Sequence, residues 1–160
     1  RRLIDDGCRR ILCLRSNSRM RMPANKRTDA YLDVVEQAGL SALVREVEFV
    51  KPDDEKGAVV AKILDENPDI DGIFAGDDTM AAICLNVMKQ RGLSAPDDIK
   101  VVGADGARRT MTFMPDLTTV RQDIDRIGEL AAQSIIALVN GEKPESNTKL
   151  PVELIEGKTA

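Results

Sequence analysis

The stretch DIDGIFAGDDTMAA, residues 69–82, places two adjacent carboxylates, Asp77 and Asp78, where an apolar run stops at Gly76 and an apolar-periodic segment begins. Four chemistries suit such a pair: an acid–base dyad, a hard-metal site, a clamp for ligand hydroxyls, or the cap of a helix. A dyad needs a second group with a displaced pKa and something to stabilise developing charge. The chain has no histidine, no lysine beside these acids and no nucleophile motif. The missing histidine also removes Ser-His-Asp and Cys-His catalysis and every histidine-ligated metal. The calcium-loop spacing is absent. No reaction, cofactor or metal is therefore expected, and cap and clamp remain. Asp78 reads mainly as a cap, because aspartate accepts first-turn N–H groups and complements the helix dipole. Asp77, between strand end and cap, reads as pointing into a cleft. Asp105, in "GADGA", is either a turn residue or an acceptor for ligand hydroxyls. Arg27 is either a surface arginine or a forked donor that orients a polar ligand.

Positioning these groups falls to an alternation of helices and strands. "RRLIDDG" reads as the end of a helix closed by Gly7, and "CRRILCLR" as a strand. A polar loop, "SNSRMRMPAN", leads to a helix from about Asn25 to Ala38, where Tyr31, Val34, Val35 and Ala38 recur at helical spacing. "ALVREVEFV" alternates like an edge strand. A helix from about Asp54 to Glu66, the buried strand "DGIFAG", a helix from about Asp78 to Arg91 and the strand "IKVVGADG" follow. Residues 107–116 read as irregular, "LTTVRQ" as extended, 123–139 as a long helix and "KLPVELIEG" as a last strand. This order predicts an α/β fold: a mostly parallel sheet with helices on both faces. In such sheets ligands bind beyond the carboxyl ends of the strands, where Asp77, Asp105 and the approach to Arg27 all fall.

With 31% charged and 42% apolar residues, the composition is that of a globular chain. The net charge of −4 argues against nucleic-acid binding through the overall field. The cluster Arg9, Arg10, Arg15, Arg19 and Arg21 reads as a solvated face. Cys8, Cys13 and Cys84 lack metal or redox spacing and read as buried reduced thiols of a cytoplasmic protein. No apolar run approaches the ~18 residues of a membrane span, and no signal peptide is visible. The opening "RRLIDDG", without an initiator Met, reads as the middle of a longer protein.

Several segments resemble LacI/GalR-type transcriptional regulators, whose core is similar to periplasmic sugar-binding proteins. "FAGDDTMAA" resembles their A-x-N-D-x-M-A, "VVGADG" their V-G-[FYW]-D-[DN], and "RTDAY" their R-x-x-[GA]-[FYW]. "PDLTTVRQDIDRIGELAAQSI" resembles their P-x-L-T-T-[VI]-x-Q followed by a glycine-containing helix. "LIDDGCRRILCL" and "LPVELIEGKTA" match the family's opening and closing patterns, with Cys8 in place of a histidine. The match runs in order along the whole chain.

The resemblance implies a periplasmic-binding-protein-like effector core: 1–118 as C-terminal lobe, 119–149 as a crossover and helix of the N-terminal lobe, and 150–160 as a return strand. It implies a small sugar-like effector in an interlobe cleft, held by Arg27, Asp53, Asp77, Asp105 and Gln122. Operator DNA would be met only by an N-terminal domain outside these residues, and the protein would be a cytoplasmic homodimer with no membrane contact. Ala81–Met88 and the loop at Phe113-Met114 resemble the family's dimer surface, and core packing is their other reading. Asp77 stands where the family has asparagine, so it offers only acceptors. Ala104 stands where the family has an aromatic, and Asp53 near where many members stack a ring on a sugar. Three acids against Arg27 leave this face with a charge of about −2, which favours a donor-rich polyol, sugar or amino sugar over a sugar phosphate. A sugar-binding receptor of a transport system is the alternative. The helix 123–139, if its lobe is absent, is expected to associate between chains or to repack on the remaining lobe.

Overall fold

The computed structural model describes residues 1–17, 24–144 and 148–160. Most of the loop around Pro23, together with Arg19 and Arg21, lies outside the described residues. In chain order the elements are α1 (Arg2–Asp5), β1 (Ile11–Asn17), α2 (Ala24–Gln37), β2 (Leu43–Glu48), α3 (Asp53–Glu66) and β3 (Gly72–Ala75). Then come α4 (Asp78–Gln90), β4 (Lys100–Asp105), α5 (Arg108–Phe113), β5 (Thr118–Gln122), α6 (Ile124–Val139) and β6 (Val152–Ile155). The strands form one six-stranded sheet in the order β2-β1-β3-β4-β5-β6. All neighbours are parallel except β5 and β6, which are antiparallel. This is the expected doubly covered α/β architecture.

Strand alternation divides the core in two. Leu12, Leu14, Ile73 and Val101 face α3 and α4 and pack with Val60, Ile63, Ala81, Cys84 and Met88. Ile11, Cys13 and Val102 point the other way, toward Leu3, Tyr31 and Val35 of α1 and α2. Because both faces of β1, β3 and β4 are covered, these strands read as apolar runs rather than alternations. The Tyr31 hydroxyl joins α2 to the sheet: it donates to the Ile11 carbonyl (2.7 Å) and accepts the Leu43 N–H (2.9 Å). β2 is an edge, as its alternation predicts, with Leu43 and Val47 buried and Arg45, Glu46 and Glu48 exposed. Of the expected solvated arginines, Arg10 and Arg15 are half-buried ion-pair partners, with Asp69 and Glu46 respectively.

The expectation that 107–116 is irregular needs correction, since Arg108–Phe113 forms the short helix α5. Six residues ahead of Pro115, with no apolar repeat, carry too little periodicity to betray it. The expected lobe division at 118 falls at the first residue of β5, whose pairing with β4 and β6 continues the same sheet to Gln122. Ala81, Ile83, Cys84, Val87 and Met88 are core residues, whereas Phe113 is 75% exposed. None of α6 is buried, so the expected repacking onto the existing lobe is not what the structure shows.

Candidate functional site

Connections run from β1 outward to β2 on one side and, by way of β2 and α3, to β3 on the other. The sheet therefore has its switch point between β1 and β3, where chain ends diverge and leave a crevice at the carboxyl rim. Ser16 near the end of β1, Gly76 after β3, Asp105 at the end of β4 and Gln122 at the end of β5 all lie on this rim.

Arg27, in the first turns of α2, bridges two of these ends. Its Nη1 donates to the Gly76 carbonyl and its Nη2 to Oδ1 of Asp105, both at 2.5 Å. Gln122 Nε2 donates to the same Oδ1 at 2.7 Å. The Arg27 and Asp105 side chains are 24% and 34% exposed, so the pair is half-buried yet reachable from outside. Among the described residues both bonds to Asp105 fall on Oδ1. A guanidinium held at two points is a fixed fork rather than a swinging charge, and that suits the orientation of a polar ligand.

Asp105 is the one non-glycine residue with positive φ (124°) among those described. An L-residue there is strained by of order 1–3 kcal/mol. Alternation along β4 assigns position 105 to the same face as Val101, toward α4, while Arg27 approaches from the α2 side. The unusual φ at the strand's last residue accompanies a side chain that meets Arg27 and Gln122 instead.

Of the two neighbouring acids, the first and not the second caps the helix. Asp77 is the helix cap: its Oδ1 accepts the Met80 N–H at 2.8 Å. Its Oδ2 accepts the Ser16 hydroxyl at 3.3 Å, which keeps that oxygen at the rim between β1 and β3. Asp78, expected as the cap, is 3% exposed and lies inside the protein. Its Oδ2 accepts the Gly106 N–H (2.8 Å) and its Oδ1 the Thr119 hydroxyl (2.5 Å). Burial, the largest cause, raises the Asp78 carboxyl above the ordinary carboxylate range, and the charge of Asp105 acts in the same direction. The bonds from Thr119, Gly106 and Ala107 oppose it.

Asp53 does not join this group. It opens α3, is paired with Lys56 at 3.1 Å and is 68% exposed. It lines a different hollow, between α3 and α4, together with Gly57 and Thr79. Arg27 instead borders an apolar hollow of about 410 Å³ with Tyr31, Ala104 and Val120. Gln122 and Gly106 border a third, with Arg121 and Ile124. The structure thus brings Arg27, Asp105 and Gln122 into direct contact, sets Asp77 beside them through Gly76, and leaves Asp53 apart. Reading the sequence missed Ser16 and took Asp78 for the cap, and it missed Thr119. The only signal for the latter two was the pairing of a small residue in "VVGAD" with a hydroxyl in "LTTV". Among the described residues, no three His, Cys, Asp or Glu side chains gather as a metal site, and no helix is long and apolar enough to cross a membrane.

A family model described as a periplasmic binding protein-like domain matches residues 1–160. The chain belongs to that family. It is similar to the ribose operon repressor of Halalkalibacterium halodurans, with 31% identity over 98% of this chain and 47% of the repressor. Its fold resembles that of a LacI-family transcriptional regulatory protein from Corynebacterium glutamicum (TM-score 0.86, 25% identity, 99% of this chain and 60% of that one). It also resembles a LacI-family regulator from Arthrobacter sp. FB24 solved in complex with lactose (TM-score 0.82, 27% identity, 98% of this chain and 59% of that one). The resemblance to LacI/GalR-type regulators read from the sequence is thereby confirmed. The chain spans about half the length of the curated relatives it matches.

Proposed function

We propose that this chain is the effector-binding part of a LacI-type transcriptional regulator and that its effector is a neutral or amine-bearing sugar or polyol held at the carboxyl rim. One observation carries the reading: Arg27, Asp105 and Gln122 form a single hydrogen-bonded group across the ends of the sheet, half-exposed and at its open edge. The carboxylates accept protons from ligand hydroxyls, the guanidinium and amide fix their direction, and no bond is made or broken. Relatives named for ribose and sucrose operons, and a neighbour holding lactose, support a sugar as the class.

Asp53 stands outside this arrangement, its charge offset by Lys56. Asp77 and Asp105 against Arg27 then leave the inner rim with about one negative charge, which disfavours phosphorylated ligands. Residues 119–149, on this reading, serve a second lobe, so α6 is uncovered here because its partner surface lies elsewhere. The protein would be a cytoplasmic homodimer that meets operator DNA through a part outside these residues.

Titration calorimetry on the full-length protein tests the proposal with lactose, cellobiose, sucrose and ribose beside ribose 5-phosphate. A neutral sugar should bind, and Asp105→Asn and Arg27→Lys should each weaken it roughly 10- to 100-fold, as loss of a hydrogen bond to a charged group does. Ribose 5-phosphate binding more tightly than ribose would overturn the assignment of ligand class.

A further inference from the structure

Asp78 touches none of the rim groups that face outward, yet its carboxylate joins three elements immediately behind them. It belongs to the first turn of α4, takes the Gly106 N–H from the residue after Asp105, and takes the Thr119 hydroxyl from β5. The space it occupies is shaped for it. A Cβ at Gly103 would lie 2.5 Å from the Asp78 Oδ1, so a side chain there would displace the carboxylate from this place. A Cβ at Gly106 would lie 2.6 Å from the Cα and Cβ of Arg121, and Gly106 has φ +59°, so this turn takes glycine. Asp105 sits between these glycines in its own strained conformation. Strain of this kind persists only when its surroundings over-determine it, and the Asp78 bond to Gly106 is the contact that acts directly on the next peptide.

We propose that Asp78, with Thr119 holding it, is a positioning residue for the effector site: it fixes the Asp105–Gly106 turn so that the Asp105 carboxylate meets Arg27 and Gln122. The inference rests on Asp105 being a site residue, but it concerns the geometry of the unliganded site and can be tested without an effector. The readout is the restricted rotation of the Arg27 guanidinium, followed by NMR of the full chain labelled on arginine. Held between Gly76 and Asp105, its Nη protons should exchange places slowly in the native protein. Thr119→Val removes one donor at nearly constant shape, and Asp78→Asn turns an N–H toward one of the two donors. Each should speed that rotation about tenfold, the equivalent of one charge-assisted hydrogen bond.

Val87→Ala, a core cavity on the other side of the same helix, is the control for general loosening. It should lower the melting temperature while leaving the Arg27 signal as it was. Should Asp78→Asn fail to fold, Thr119→Val alone decides. An unchanged Arg27 rotation in Thr119→Val, or equal acceleration in Val87→Ala, would overturn the proposal and reduce Asp78 to a packing role. Neither result depends on which sugar binds, so failure here and failure of the effector assignment are separable.

Discussion

α4 and α6 are similar objects in sequence and opposite ones in the fold. Both are amphipathic, of 13 and 16 residues, and each is opened by an aspartate that accepts a backbone N–H three residues on: Asp77 from Met80, Asp123 from Arg126. α4 buries seven residues, including Met80, Cys84 and Met88, against the sheet. α6 buries none, and Ile135, Ile136 and Leu138 are about three-fifths exposed. A helical stripe of apolar residues thus says which face seeks cover but not what supplies it. For α4 the cover is the sheet and α3, while for α6 the described residues provide the segment 148–152 across a hollow of about 350 Å³ and, at its start, the exposed pair Arg108–Asp125.

The sharpest way to break this comparison is a core truncation. Met88→Ala in α4 should cost about 2–5 kcal/mol in urea unfolding, as a buried large-to-small change does. A cost no greater than that of Leu138→Ala in α6 would erase the difference. Thr119→Val, which frees one oxygen of the buried Asp78, should cost about 1–3 kcal/mol by the same measurement.

The caps sharpen it further. Asp77→Ala should destabilise by about 0.5–2 kcal/mol, since the first turn of α4 is part of the cooperative core. Asp123→Ala should leave global unfolding almost unmoved and instead speed amide exchange in the first turn of α6, because a helix that packs on nothing frays by itself.

The start of α4 also gives stability a dependence on pH. The folded-state pKa of Asp78 is raised, chiefly by burial. Its contribution is therefore fully present below the ordinary carboxylate value and is lost as pH rises through the raised one. The difference between native protein and Asp78→Asn should accordingly move against the native protein as pH climbs through that window.

Smallest of all should be the effect of polar residues on the exposed stripe of α6. Ile135→Ser with Leu138→Ser should change unfolding free energy by no more than about 0.5 kcal/mol per site. They should also abolish any concentration-dependent association seen by light scattering. Large destabilisation would mean that α6 is covered within one chain after all.

Much of this architecture was legible because the relevant signals are local. Glycines at 7, 39 and 92 mark helix ends, and the short apolar runs at Ile11, Ile73 and Val101 announce doubly covered strands. The order of elements then implies a parallel sheet. Arg27 and Asp105 were legible as rim residues on the same logic, since a strand's end fixes where its last side chain lies. What could not be read is the fate of two adjacent acids. Asp77 and Asp78 differ by a rotation of about 100° around one helix, and which of them enters the core depends on space left by Gly103 and a hydroxyl on β5, both distant in sequence. The left-handed φ of Asp105 is likewise invisible, because nothing in the residue type demands it. Asp53 was placed by motif position alone, and its neighbour Lys56 already satisfies it.

The last residues of the chain carry a consequence for this rim. Thr159 accepts the Thr118 N–H and donates to the Val101 carbonyl, and its own carbonyl takes the Val101 N–H. These contacts lie at the amino ends of β4 and β5, whereas the Asp78 bond to Gly106 lies just past the carboxyl end of β4. β4 is therefore clamped like a beam fastened at both supports, not a cantilever free to swing. Shortening the chain by its final four residues would release the far support, and the slack would surface a whole strand's length away, in how steadily Asp105 faces its arginine.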